Sequence, residues 1–212
     1  MLFVHWLTNL CLSKEIIVPE EAEWFAYGIT RRLSTIFTVL VLFPIACHLS
    51  SWDISLSFFL SFFYLRKRTN GYHANSFTGC LFFSMCSVYV IFHLVLPRIP
   101  REAILCIPLM SSIIILLLAP IQNENIKMSE AEQKKTAFFV KRNTVLLLFF
   151  ILCSKTINYF NITVGLSLGV GYTAFLLILA YYTLQRRKMK NEKKNHEQFG
   201  KNTCKKYDPP RY

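Results

Sequence analysis

The sequence predicts an all-α, polytopic membrane protein, with N-terminal interfacial amphipathic helices followed by four to six membrane-embedded helices. Hydrophobic residues make up 53% of the 212 residues and the mean hydropathy is +0.37, which is high for a soluble domain. These residues are clustered in long stretches, and the charged residues, 17% of the chain, lie mostly in short runs between them. This pattern excludes an ordinary soluble globular enzyme.

The first 32 residues are predicted to form two helices that lie on the membrane surface. In the first helix, large apolar side chains recur at helical spacing, at Leu2, Phe3, Trp6, Leu7 and Leu10. The second helix opens at Pro19, carries three glutamates in its first turn and ends near Arg31 and Arg32, an order that suits the helix dipole. A signal peptide fits less well, because no basic region precedes the apolar residues.

Six apolar segments follow, and they are the predicted membrane-embedded helices. They cover residues 33–50, 51–65, 81–96, 103–120, 143–160 and 162–184. A straight span through about 30 Å of hydrocarbon needs about 20 residues, so the segments 51–65 and 81–96 are short for crossing unaided. Polar flanks, local thinning of the bilayer or partner helices would complete them.

The basic residues between the segments predict the orientation of the chain. If the N-terminus is cytoplasmic, only Arg98, Arg101 and Lys155 of the 24 Lys and Arg residues fall outside the cytoplasmic parts. The positive-inside rule then predicts an even number of crossings, with both termini and the loop 66–80 in the cytoplasm. The polar, basic tail 185–212 is expected to be disordered or to lie on anionic lipid.

Two further features concern partners. Residues 121–142 are predicted to be a basic cytoplasmic loop, in which Ser129 and Glu132 have the spacing of a capping box. A short amphipathic helix is therefore expected there, binding substrate or lipid. In the last apolar segment, Gly165 and Gly169 have G-x-x-x-G spacing, with Gly171 close by, and this face suggests a homodimer.

Side chains capable of chemistry gather in Arg66–Ser84, which contains His73 and Cys80. A cysteine nucleophile needs a base to form a thiolate near neutral pH, and histidine is the usual one. On one unbroken helix the two residues would lie about 10.5 Å apart along the axis, so they can share a proton only if the chain turns between them. Residues 75–79 supply turn and capping residues, and Thr78 is the predicted N-cap of the following helix. Cys80 would then lie in the first turn, where N–H groups stabilise a thiolate and suit an oxyanion hole.

The spacing alone leaves a chance pairing open, but the surrounding pattern is more specific. It reads R-x-x-x-x-G-x-H-A-x-x-x-x-x-C-x-x-x-S and is formed by Arg66, Gly71, His73, Ala74, Cys80 and Ser84. With this pattern the chain resembles the accessory gene regulator B (AgrB) family of bacterial membrane cysteine endopeptidases. The resemblance extends over most of the chain, in its size, in the order of its apolar segments and in the pair Ala119 and Pro120. The chain departs from the family at Asn70, where many members have glycine, and after Lys127, where the family has proline.

The resemblance implies an AgrD-like propeptide as the partner, in the bacterial cell membrane. The C-terminal part of the propeptide would be removed and its middle closed into a thiolactone or lactone ring for quorum sensing. His73 and Cys80 are the implied catalytic pair, with a peptidyl thioester forming on Cys80. No cofactor or metal is implied.

The roles of the supporting residues are less specific. Arg66 would hold an acidic substrate tail or act as part of a positive-inside signal, and Ser84 would donate a hydrogen bond within the site or pack between helices. Gly71 belongs to the matching pattern. The group that orients His73 stays open between Asn75, a backbone carbonyl and the glutamates at 20, 21 and 23.

Other function classes are weighed against this interpretation. A small non-enzymatic transporter or scaffold is the main alternative, but Lys155 is the sole Lys or Arg inside a predicted segment. One lysine gives little support to a polar pathway through the membrane. A metal-dependent protease is not favoured, because the sequence has no H-E-x-x-H motif. The net charge of +12 could suggest nucleic acid, but the sequence has no module that combines basic and aromatic surface residues for binding it. No nucleic acid is therefore expected as a partner. Seven cysteines, an odd number, predict no disulfide framework.

Overall fold

The computed structural model describes residues 2–69, 77–121 and 129–205, and this part of the chain is helical, without strands. Its seven α-helices are α1 Leu2–Ser13, α2 Ala22–Leu49, α3 Trp52–Thr69, α4 Phe77–Tyr89, α5 Cys106–Leu118, α6 Glu130–Thr156 and α7 Phe160–Lys205. Short 3-10 helices cover Pro19–Glu21, Leu96–Arg98 and Arg101–Leu105, and a π-helix, Val90–Val95, continues α4. The all-α prediction is confirmed.

Five helical stretches are long and apolar enough to cross a membrane. They are Pro19–Leu49, Thr78–Arg98, Arg101–Leu118, Glu130–Thr156 and Phe160–Arg187. The predicted multi-pass membrane protein is therefore confirmed. Helix α3 is not among the five, because its 18 residues include Asp53 in the first turn and three basic residues in the last. This agrees with the expectation that the segment 51–65 is one of the less secure spans.

The chain divides into two compact units, which are described separately. The first comprises Met1–Leu56 and Ala74–Ile99, and the second comprises Ser57–His73 and Pro100–Tyr212. In the first unit, α2 packs against α1, against α4 and against the π-helix. Buried apolar side chains lie on these elements at Leu42, Ala46, Val88 and Phe92.

The second unit is a helical bundle around α7, which packs against both α5 and α6. Helix α3 contributes as well, because the ring of Phe62 lies 5.1 Å from the ring of Tyr172 on α7. One cluster of buried apolar side chains joins the four helices: Leu65, Ile115, Ile121, Val140, Leu147, Ile151, Val170, Ala174, Leu177 and Ala180. Since α3 packs beside the middle of the spanning stretch of α7, it belongs to the membrane-embedded bundle.

The helices of this unit have a defined direction. At one end, the Arg68 guanidinium in the last turn of α3 lies over the ring of Phe139 in the first half of α6. At the other end, Arg101, which precedes α5, and Lys155 at the end of α6 both lie over the ring of Phe160, the first residue of α7. Helices α3, α5 and α7 therefore run in one direction and α6 runs in the other.

The predicted start of the chain needs one correction. Helix α1 forms as expected, but residues 22–32 are not a separate surface helix, because α2 continues without a break from Ala22 to Leu49. The 3-10 turn with Pro19 at its first position starts this helix, and Pro44 does not end it. An interfacial position for α1 stays a prediction.

Two predicted boundaries in the basic regions were also wrong. The expected short helix of the loop 121–142 is the beginning of α6, and Ser129 and Glu132 form the predicted capping box at its start. No glycine or proline interrupts the chain between residues 130 and 156, so the helix runs on into the span. Helix α7 likewise extends to Lys205, although the tail from residue 185 was expected to be disordered. Extending a formed helix carries no new nucleation cost, and Lys, Arg, Gln and Glu favour it.

Candidate active site

Cys80 is the fourth residue of α4, and its thiol is free and half-buried. The helix begins at Phe77, so Thr78 is its second residue and not the N-cap that the sequence analysis predicted. The shift is small and leaves Cys80 in the first turn. The positive end of the helix dipole lies there, and it stabilises a thiolate or an oxyanion.

The predicted partner of Cys80 lies outside the described residues. Helix α3 ends at Thr69 and α4 begins at Phe77, so Arg66 and Cys80 belong to different helices. His73 falls in the interval 70–76, together with Gly71 and Asn75. The predicted proximity of His73 to Cys80, and the roles of Gly71 and Asn75, stay predictions.

Arg66 and Ser84 lie on the two helices that flank this interval. Arg66 is half-buried in the last turn of α3, beside Lys67 and Arg68. Positive charge at this position interacts favourably with the dipole of the helix. Ser84 is half-buried on α4, one turn beyond Cys80 and on the same face. The roles expected of Arg66 and Ser84 both stay predictions.

Asp53 and the three glutamates predicted as possible partners of His73 lie on separate elements. Asp53 accepts a hydrogen bond from the Ile54 backbone N–H at 3.1 Å and so acts at the start of α3, as a helix-boundary residue would. Glu20 and Glu21 are exposed in the first 3-10 turn, and Glu23 is exposed in the first turn of α2. The choice among the groups that could orient His73 therefore stays open.

A backbone hydrogen bond joins the ends of α3 and α5 in a way that sequence analysis did not anticipate. The Ile121 N–H donates to the Thr69 carbonyl oxygen at 3.5 Å, and both residues are buried. Thr69 directly precedes the interval with His73, and Ile121 directly precedes residues 122–128, where the chain departs from the AgrB pattern. Thr69 and Ile121, the last described residues before these two intervals, are therefore neighbours in the fold. No local sequence signal indicates this contact.

The described side chains provide few other reactive groups. Six cysteines are free thiols, and no three His, Cys, Asp or Glu residues of the described ranges are grouped closely enough to hold a metal ion. Lys155 is half-buried in the last turn of α6, with its ammonium 5.8 Å from the centre of the Phe160 ring. It lies at the end of a span and not at its middle, so it gives no support to a transport pathway.

Comparison with known proteins adds the deciding observation. The family model described as Accessory gene regulator B matches residues 4–182, from α1 through the apolar part of α7. The chain belongs to the AgrB family. Searches of curated protein sequences and of solved structures found no match. Membership in the AgrB family gives the protein a role in peptide processing within the agr quorum-sensing system, with an AgrD-like propeptide as its partner and a membrane as its setting.

Proposed function

We propose that this AgrB family protein is a membrane cysteine endopeptidase that cleaves the C-terminal part from an AgrD-like propeptide and promotes closure of the remaining peptide into a ring. One combined observation carries the proposal. The family match covers residues 4–182, and the cysteine of the matching pattern, Cys80, lies in the first turn of α4, seven residues after His73.

In the proposed first step, His73 accepts the proton of the Cys80 thiol, and the resulting thiolate attacks the scissile carbonyl carbon. N–H groups at the start of α4 are in the part of the helix that suits the developing oxyanion. The C–N bond then breaks, and His73 returns the proton to the departing amine. The products are the free C-terminal fragment and a peptidyl thioester on Cys80.

In the second step, a Cys or Ser side chain of the bound peptide attacks the thioester carbon, and its proton passes to the Cys80 sulfur as the ring is released. Exchange of a thioester for a thiolactone is nearly balanced in energy, whereas hydrolysis would lose the free energy stored in the thioester. A site at the membrane surface with little water therefore favours the ring. Arg66 would attract an acidic substrate tail, and Ser84 would support Cys80 from the next turn.

Mass spectrometry after co-expression with an AgrD-type propeptide tests the proposed reaction. We expect two products, the released C-terminal fragment and a fragment that is lighter by one water than the linear peptide, because ring closure replaces hydrolysis. A linear fragment alone would contradict the cyclisation step while leaving the peptidase in place. An intact propeptide at normal expression of both partners would contradict the whole proposal.

Charge in the second unit supports an orientation with both termini in the cytoplasm. Nine basic residues with described side chains lie at the end where α3 and the spanning part of α7 finish: Arg66, Lys67, Arg68, Lys134, Lys135, Lys141, Arg142, Arg186 and Arg187. The opposite end of that unit has Arg101 and Lys155. By the positive-inside rule the richer end faces the cytoplasm. With α3 as a sixth crossing, the number of crossings is even.

Thiol labelling tests this orientation. In a variant that retains only Cys80 among its native cysteines, Arg101→Cys is expected to react with a membrane-impermeant thiol reagent in intact cells. Lys134→Cys is expected to react only after the cells are permeabilised, because Lys134 lies at the basic end. Labelling of Lys134→Cys in intact cells would reverse the proposed orientation.

A further inference from the structure

Two arginines from different helices converge on one aromatic ring in the second unit. The Arg68 Cζ atom on α3 lies 4.5 Å from the centre of the Phe139 ring, and the Arg142 Cζ atom on α6 lies 4.8 Å from the same centre. The two guanidinium carbons are therefore no more than about 9 Å apart. Among the described residues, neither guanidinium has a carboxylate partner. Within the described part of the chain, the arrangement therefore concentrates two positive charges that no carboxylate neutralises.

These arginines lie where the basic end of the bundle meets exposed apolar surface. Along α6, exposed Val145, Leu146 and Phe149 follow Arg142 at intervals of three, four and seven residues, so they share its face. Along α3, exposed Leu60 and Tyr64 precede Arg68 by eight and four residues. Residues at these intervals lie on one face of a helix. Each arginine thus ends an apolar stripe that runs toward the membrane interior.

This combination matches the chemistry of a membrane lipid. Guanidinium groups bind phosphate oxygens through paired N–H donors, and an arginine that interacts with an aromatic ring keeps donors for such oxygens. Basic pockets between helices on the cytoplasmic side of a membrane bind anionic head groups. A soluble acidic peptide would use the two charges, but it would not need the apolar stripes that lead away from them.

We propose that Arg68, Phe139 and Arg142 form a binding site for the phosphate of an anionic phospholipid, whose acyl chains lie along the exposed stripes of α3 and α6. Both guanidinium groups contact the same ring, and their separation is within the range that one phosphate group can bridge. Bound lipid neutralises their repulsion and ties α3 to the first half of α6. The site is independent of the proposed peptidase chemistry.

Native mass spectrometry of the purified full-length protein with added phosphatidylglycerol tests the site. The double variant Arg68→Gln, Arg142→Gln is expected to bind this lipid about a hundredfold more weakly than the unaltered protein, because each lost charge-assisted hydrogen bond weakens binding by about tenfold. Arg142 is exposed, so Arg142→Gln alone should fold normally and should show a loss of about tenfold.

Arg186→Gln is the matched control. Its guanidinium carbon lies 4.8 Å from the centre of the Tyr182 ring, and no second cation with a described side chain contacts that ring. This variant therefore removes the same charge from an arginine that is not one of a pair. We expect its lipid retention to stay within about twofold of the unaltered protein. Equal losses in Arg142→Gln and Arg186→Gln would show a general charge effect and overturn the site.

Two further probes identify the ligand. Phosphatidylcholine has the same phosphate but no net charge, and we expect the protein to retain it poorly. An oligoglutamate peptide should not displace phosphatidylglycerol at equal concentration. Equal retention of both lipids would overturn the preference for anionic lipid, and displacement by oligoglutamate would assign the arginine pair to an acidic peptide instead.

Discussion

Replacing Cys80 by Ala is expected to abolish cleavage of a co-expressed AgrD-type propeptide, since the thioester cannot form without the sulfur nucleophile. His73→Ala is expected to lower the cleavage rate by a factor of about 10² to 10⁴, the usual contribution of a positioned general acid and base. Both rates are measured as released C-terminal fragment per unit of membrane-inserted protein. Normalising to inserted protein separates lost chemistry from lost folding.

The chain offers a close control for each variant. Cys86 is an exposed cysteine on the same helix as Cys80, six residues further along, and His93 is an exposed histidine in the π-helix that continues α4. Cys86→Ala and His93→Ala should leave cleavage within about twofold of the unaltered protein, because surface substitutions away from a site have small effects. Substantial cleavage by Cys80→Ala would refute the proposed nucleophile, and unaltered cleavage by His73→Ala would refute the proposed base.

Gly169→Ala is expected to destabilise the helical bundle strongly. A Cβ atom at this position would overlap the Ser61 hydroxyl and would lie 2.6 Å from the Phe58 carbonyl oxygen on α3. A carbonyl oxygen is part of the backbone and cannot rotate away, so α3 and α7 would have to separate. We expect a loss of at least about 2 kcal/mol in the free energy of unfolding, measured by thermal or denaturant unfolding in detergent.

Two other glycines complete a graded series. Nothing lies within 4 Å of a Cβ at Gly28, so Gly28→Ala should stabilise α2 by up to about 1 kcal/mol. At Gly171 a Cβ would lie 3.0 Å from the Ile107 Cγ2 atom, a side chain that can shift, so an intermediate effect is expected. In Gly169→Ala, the added change Ser61→Gly should restore only part of the stability, because the Phe58 carbonyl remains. Equal stability of Gly28→Ala and Gly169→Ala would contradict the close packing of α3 on α7.

This packing also bears on the predicted homodimer. Gly165 and Gly169 are buried, and α3 of the same chain occupies the surface at Gly169. The glycine pattern correctly indicated a close helix contact, but the partner at Gly169 is an internal helix. Sequence alone cannot identify the partner, because a small residue permits close approach by any helix that reaches it.

Features that depend on local signals could be predicted from the sequence alone. Long apolar stretches require a membrane or a buried core, so the polytopic all-α fold could be recognised from composition and spacing. The capping box at Ser129 was predicted because its hydrogen bonds join residues only three apart. Cys80 was placed in a first helical turn for a similar reason, with an error of two residues at the helix start.

Contacts between residues that are distant in the chain could not be predicted in this way. The approach of Arg68 and Arg142 to Phe139 depends on how α3 packs against α6, about 70 residues later in the chain, and the burial of Gly169 depends on the same bundle. Helix continuity also escaped prediction, because charged residues were interpreted as helix ends, loops or a disordered tail. In the structure the helices continue through them in α2, α6 and α7. Hydropathy reports the preferred solvent of each residue, whereas contacts between helices depend on the shapes of their surfaces.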